Sequence, residues 1–278
     1  MRMKRLSLLL ALLLLLTSCK AGGTQEPATA QPTSSLPPSP TVTPSPDPDA
    51  PLWAALTLEE LPSQLADPAQ MPAVSSPQAF LLGCQLDEEI YLYGLNAGYG
   101  GGVLLRHGET LTHFEQVFST VEHAVLPELW WGDFNGDGED ELGVRYLVSV
   151  EGDAIVYDLH LYTWMEDTWS DCPVTRDNCA ELFLQEVEQD YDARTGTLTL
   201  SYGVTSAVYQ FPKAVDSPGH LTMGYSCFFR EQSGIFTVVL GVRVDQTGAH
   251  MANVVADIVP EGDGFTFRNI RVEPTMGV

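Results

Sequence analysis

Trp130-Trp131-Gly132-Asp133-Phe134-Asn135-Gly136-Asp137-Gly138-Glu139-Asp140-Glu141-Leu142-Gly143-Val144 is the stretch from which the rest of this chain can be read. Asp133, Asn135, Asp137 and Glu141 hold the first, third, fifth and ninth places of a D-x-N-x-D-G-x-x-E run, with Gly138 at the sixth. Calcium is a hard cation that takes six to eight oxygens at about 2.3–2.6 Å. Side chains at alternate places of a tight loop can all turn onto one such ion. The carbonyl of Glu139, at the seventh place, supplies a further oxygen. Gly136 and Gly138 let the chain curl, because glycine enters positive φ without a steric cost. The residues therefore predict a structural calcium site. The plainer alternative is a metal-free loop of Asx turns, in which Asp and Asn bond their own backbone.

The flanks exclude an EF-hand, which needs a glutamate at the twelfth place and a helix on each side. Here the twelfth place is Val144, and both Pro127–Trp131 and Leu142–Val150 have strand composition. This strand–loop–strand arrangement resembles the FG-GAP and VCBS class of repeats, whose signature runs D-F-N-G-D-G-x-x-D-L. Asp133, Phe134, Asn135, Gly136, Asp137, Gly138 and Leu142 match it. Glu141 departs from it by one methylene, which keeps a carboxylate on a longer arm. The resemblance covers only this short stretch and implies a calcium hairpin within a β domain. A full propeller would repeat the motif blade by blade. The motif occurs once, and Glu261-Gly262-Asp263-Gly264 lacks its spacing.

The N-terminus has its own signature. Arg2, Lys4 and Arg5 precede an almost unbroken apolar run, Leu6–Leu16, which ends in Thr17-Ser18-Cys19. A membrane span needs about 20 apolar residues, whereas a run of this length suits the core of a secretory signal. The ending resembles the lipobox of bacterial lipoproteins. That resemblance implies removal of residues 1–18, palmitate-type acylation of Cys19, and anchoring at the extracytoplasmic face of the cell membrane. Two acyl chains hold a protein on a bilayer where one barely does. Between Cys19 and residue 51 the chain is rich in Pro, Ser and Thr. Such a composition buries too little apolar surface to offset ordering entropy and predicts a disordered tether. The layout as a whole resembles uncharacterised lipoproteins of Gram-positive gut bacteria, a resemblance that carries no activity.

Charge narrows the partners. Against 13 Lys+Arg stand 37 Asp+Glu, a formal net charge of -24. Nucleic acid is excluded, because phosphate contacts need Lys and Arg. Electrostatic adhesion to anionic headgroups is excluded as well, so the lipid at Cys19 must do the anchoring. Export permits disulfides among Cys84, Cys172, Cys179 and Cys227. Cys172 and Cys179, close in sequence, are the first candidate pair, with unpaired thiols as the alternative. Neither zinc spacing nor a histidine cluster accompanies them.

Residues 52–278 predict an all-β, mainly antiparallel domain: a compact twisted sheet or a degenerate propeller, with a short N-terminal helix. Thr57 and Glu60 fit a capping box before Pro62 stops the turn. Leu142–Val150 and Ile155–Trp164 form a hairpin around Glu151-Gly152-Asp153. Leu182–Tyr191 pairs with Thr197–Tyr202, Leu182–Glu188 being alternatively a helical turn. Phe236, Val238, Leu240, Val242 and Val244 alternate through a strand. Met251–Val259 and Phe265–Val272 follow, with a bulge expected near Arg268–Asn269. Asn96–Gly102 lacks the Lys and helix of a phosphate loop and reads as a turn.

Catalytic motifs are missing. The chain has no H-E-x-x-H, G-x-S-x-G or Ser-x-x-Lys. Gly224-Tyr225-Ser226-Cys227 is half a nucleophile elbow, and the histidines at 107, 113, 123, 160, 220 and 250 are scattered. Three readings remain. The first is a lipid-anchored surface protein whose calcium-stabilised β domain binds a glycan or protein, with Trp130, Trp131, Trp164 and Trp169 as contact candidates. Their alternative role is core packing. The second is a cell-wall or carbohydrate-processing hydrolase, marked by a cleft with two acids that are not calcium ligands. The third is a structural or sensory accessory protein, marked by a flat surface.

Overall fold

The computed structural model describes residues 50–71, 76–115, 125–152, 154–213, 215–262 and 264–275. The apolar leader, Cys19, the proline-rich segment and His123 lie outside the described residues. The described residues belong to a unit that begins at Asp47.

Four strands open the fold as an antiparallel meander: β1 (Ala79–Gln85), β2 (Ile90–Leu95), β3 (Val103–His107) and β4 (Thr110–Phe114). A larger sheet starts with β5 (Glu128–Gly132), β6 (Glu141–Glu151), β7 (Ala154–Met165) and β8 (Thr168–Val174). The helix α1 (Arg176–Glu186) and a small sheet of β9 (Glu188–Asp192), β10 (Thr197–Tyr202) and β11 (Thr205–Gln210) interrupt it. It resumes with β12 (Leu221–Gln232), β13 (Ile235–Val244), β14 (Ala249–Glu261) and β15 (Gly264–Pro274). Its order is β15-β14-β13-β12-β7-β6-β5, with β8 also on β7, and it curls into a half-barrel.

One junction in this sheet breaks the antiparallel rule. β12 meets β7 in parallel at Cys227↔Val156, so the early and late strands join at a seam. Arg145 on β6 ties the seam from one side: its Nη1 donates to the carbonyl of Phe229 on β12 at 2.6 Å. Its guanidinium also lies 4.7 Å from the Tyr157 ring centre and pairs with Glu128.

Strand alternation sorts side chains between two cores. On β6, Leu142, Val144 and Tyr146 enter the core shared with Leu92, Val103 and Leu105 of the meander. Gly143 lies on the opposite face, where a Cβ would sit 2.5 Å from Cζ of Phe236. The main core holds Leu159 and Leu161 of β7, Leu198 and Leu200 of β10, and Phe236, Val238, Leu240, Val242 and Val244 of β13. The β13 residues follow the alternation expected from sequence. The bulge expected at Arg268–Asn269 is present: Arg271 pairs with Val255 and Arg268 with Asp257, leaving Asn269 and Ile270 against one residue.

The helical expectations need correction. Thr57 and Glu60 do make reciprocal contacts, the Glu60 carboxylate accepting from Thr57 N and Oγ1 at 2.9 Å. They close only a 3-10 turn, Leu58–Glu60, because Pro62 cannot continue a helix. The α-helix among the described residues is α1 instead. It covers the first half of the strand expected at Leu182–Tyr191, and only Glu188–Asp192 remains extended. No 172–179 bridge forms either. Cys172 on β8 donates to the carbonyl of Gly264 at 3.1 Å, while Cys179 is buried in α1.

Phe236 joins the loop, β6 and the core, and it is 2% exposed. Phe236→Ala should cost about 3–5 kcal/mol of stability through lost burial and the cavity left behind. Urea denaturation measures this, and a loss below about 1 kcal/mol would contradict the packing described.

Candidate functional site

The acidic loop runs from the end of β5 to the start of β6, which pair at Gly132↔Glu141. Phe134 anchors it, its ring 4.6 Å from that of Phe236. Asp133 Oδ1 and Oδ2 accept from the amides of Gly136 (2.6 Å) and Gly138 (3.0 Å). Asn135 Oδ1 accepts from Asp137 N at 2.7 Å, and Asp137 Oδ1 from Glu139 N at 2.8 Å. Gly136 and Gly138 have φ of 82° and 96°, the left-handed conformation expected of them. These are the Asx turns of the sequence alternative.

Glu141 is different in kind, because its side chain is buried at 1% exposure. Its Oε2 accepts from Phe134 N at 2.8 Å and its Oε1 from Asn135 Nδ2 at 2.6 Å. The same Nδ2 reaches Asp137 Oδ2 at 2.9 Å, so one amide group holds two acids together. Burial pushes the Glu141 carboxyl upward, and the nearby Asp137 and Asp133 add to the rise against the Phe134 amide. Among the described residues no three His, Cys, Asp or Glu groups converge as a ready metal site. The donor set itself is all oxygen: three carboxylates, the Asn135 amide and the Glu139 carbonyl. That is the chemistry a hard cation takes.

The four tryptophans divide. Trp169 is a core residue at 4% exposure and offers no surface to a ligand. Trp131 and Trp164 pack edge-on against it, and His107 meets Trp164 at 4.4 Å. Trp130 instead packs on Phe236 at 5.4 Å, on the main-core side. Trp130, Trp131 and Trp164 are half-buried. The candidates therefore form no single platform.

Sequence reading missed a buried histidine–carboxylate pair. His160 on β7 places Nδ1 3.0 Å from both Asp171 oxygens on β8. The hydroxyls of Tyr146 and Tyr162 meet 3.1 Å apart beside it. Cys179 and Cys227 are fully buried, and burial holds both thiols well above the ordinary range, so neither is a ready nucleophile.

A second site opens at the seam. Glu151, Ala154, Arg176, Asp177, Thr222, Tyr225 and Arg243 line a cleft of ≈ 390 Å³. A neighbouring cleft of ≈ 330 Å³ shares Glu151, Arg176 and Asp177 and adds Asp158. Thr175 caps α1, its Oγ1 accepting from Asn178 N at 3.3 Å, and this sets the first helical turn over the seam. Arg176 N donates to Asp158 Oδ1 at 3.1 Å. Burial pushes the Asp158 carboxyl up, and Asp177 adds to the rise. The Arg176 amide and guanidinium and His160 oppose it. None of these residues lies on the acidic loop.

No family model, curated protein or solved structure matches this chain.

The Asp158 shift has a definite sign. Its folded value lies above the ordinary 3.8, so folding favours the protonated form. That stability is present below pH 3.8 and is lost as pH rises through the raised value. Asp158→Asn keeps an acceptor for Arg176 N–H and removes the charge. It should raise the melting temperature at neutral pH, with no advantage below pH 3.8. A variant that melts lower than the parent at neutral pH would contradict this.

Proposed function

We propose that this protein is an exported lipoprotein, anchored through Cys19 at the extracytoplasmic membrane face, whose calcium-stabilised β domain acts as a binding or scaffold module. The buried Glu141 carboxyl carries the calcium half of the reading. A carboxylate taken out of water beside two further acids is costly unless a cation balances it. Asp133, Asn135, Asp137, Glu141 and the Glu139 carbonyl would hold the ion, which supplies charge balance rather than chemistry. The apolar run closing on Cys19 supports the anchor, and the acidic composition suits an exported surface.

The test is a thermal melt of the full-length chain with calcium and then with chelator. Calcium at ten times its dissociation constant contributes about 1.4 kcal/mol, a rise of about 3–6 °C for a domain of this size. Asp137→Ala should abolish the rise and leave the fold intact. An equal melting temperature with calcium and chelator in the parent would remove calcium from the account. Metabolic labelling with palmitate, lost in Cys19→Ala, tests the anchor separately.

A second reading, a cell-wall or carbohydrate-processing hydrolase, has one observation in its favour. The seam clefts hold Glu151, Asp158 and Asp177, acids that are not calcium ligands. Glycoside hydrolysis uses two carboxyl groups, one of them raised to act as the acid. Cleavage of cell-wall polysaccharide by the parent, abolished in Asp158→Asn, would move the function to the clefts. Absence of cleavage by the parent would sink this reading. The third reading, an accessory protein with a flat surface, sits poorly with either cleft.

A further inference from the structure

We propose that the seam cleft binds a small zwitterionic solute, one bearing both a carboxylate and an ammonium, as amino acids and short peptides do. The site is built by an irregularity in β12. Met223 pairs with Val242 and Cys227 with Leu240, so Gly224, Tyr225 and Ser226 face Gly241 alone. Bulges of this kind re-aim side chains. Here the bulge turns Gly224 to φ 78° and lets Arg176 lie over it, Cγ being 3.1 Å from where a Cβ would stand. Gly241 does the same for Tyr225, whose Cε1 is 2.7 Å from the place of its missing Cβ. Two glycines thus seat an arginine and a tyrosine in the cleft wall.

The charges are mixed. Arg176 and Arg243 supply two guanidiniums, in a chain with only 13 cationic side chains against 37 acids. Arg243 sits 5.4 Å above the Tyr225 ring, and among the described residues its buried Nε makes no hydrogen bond, Asp245 being 4.0 Å away. Arg176 is paired with Asp177 at 2.7 Å, but those side chains are 42% and 78% exposed. Exposed pairs of this sort contribute little and exchange partners readily. A guanidinium is the group best shaped to take a carboxylate. Glu151 and Asp177 line the same wall and suit an ammonium. A polyanion would be repelled by these acids, and a bare metal cation by the guanidiniums. A cleft of ≈ 390 Å³ has the size of a small-molecule site.

The calcium loop lies elsewhere, so this inference stands or falls independently of it. The test titrates glycylglycine into the full-length chain by isothermal calorimetry, with N-acetylglycylglycine and glycylglycinamide as probes that lack one charge each. Saturable binding of glycylglycine is expected, with each blocked probe weaker by about ten-fold or more. Arg243→Gln should weaken glycylglycine to a similar degree at an unchanged melting temperature. Should that variant fail to fold, the exposed Asp177→Asn decides, and it must weaken glycylglycine more than N-acetylglycylglycine. No saturable heat with glycylglycine, equal binding of all three probes, or indifference to both substitutions would each overturn the proposal.

Discussion

The structure turns on a carboxylate in an uncomfortable place. Glu141 starts β6, is buried, and faces Asp137 and Asp133 across a tight loop. Like charges about 5 Å apart at an effective dielectric of about 20 repel by about 3 kcal/mol. The loop offsets this with amides, from Phe134 N and Asn135 Nδ2 on Glu141 itself to the glycine amides on Asp133. Phe134 holds the arrangement in register by packing on Phe236. The β5–β6 pairing, and through Gly143 and Phe236 the seat of β13 on the early strands, depend on that corner staying closed.

β13 separates the two sites. Phe236 lies under the loop near its start, and Arg243 reaches the seam cleft near its end. Seven residues at about 3.3 Å each put roughly 23 Å between them along the strand. The acidic loop and the seam cleft thus sit at opposite ends of one strand. The cleft depends on the parallel contact of β12 with β7 and on the bulge beside it, and both occur where the curled sheet changes direction.

What could be read in advance followed from local pattern. The alternation of Phe236 through Val244, the Gly152 hairpin and the strand–loop–strand placement of residues 133–141 are short-range signals, and each is found where expected. The helix α1 was legible only at its C-terminal end, as the alternative helical turn at Leu182–Glu188; its first turns escaped because it buries only Cys179 and Phe183, too narrow a stripe to show a period. Thr175, three residues before Asn178, was the cap signal that could have found it. β12 escaped because its bulge breaks the alternation. The His160–Asp171 pair was within reach: folding the chain at the Glu166-Asp167 turn puts Trp164 opposite Trp169 and brings these two within two places. The cleft was not, since its residues come from four separate segments joined only by the seam.

The most direct measurement is terbium luminescence on the full-length chain. Terbium occupies calcium sites and is excited through nearby indole rings, and Trp131 stands two residues before Asp133. A calcium site in the loop gives sensitised emission that calcium competes away and that Asp133→Ala abolishes while the melting temperature in chelator stays that of the parent. Emission that calcium does not displace, or that survives Asp133→Ala unchanged, would mean that the loop closes on its own amides alone and that the buried Glu141 needs no cation.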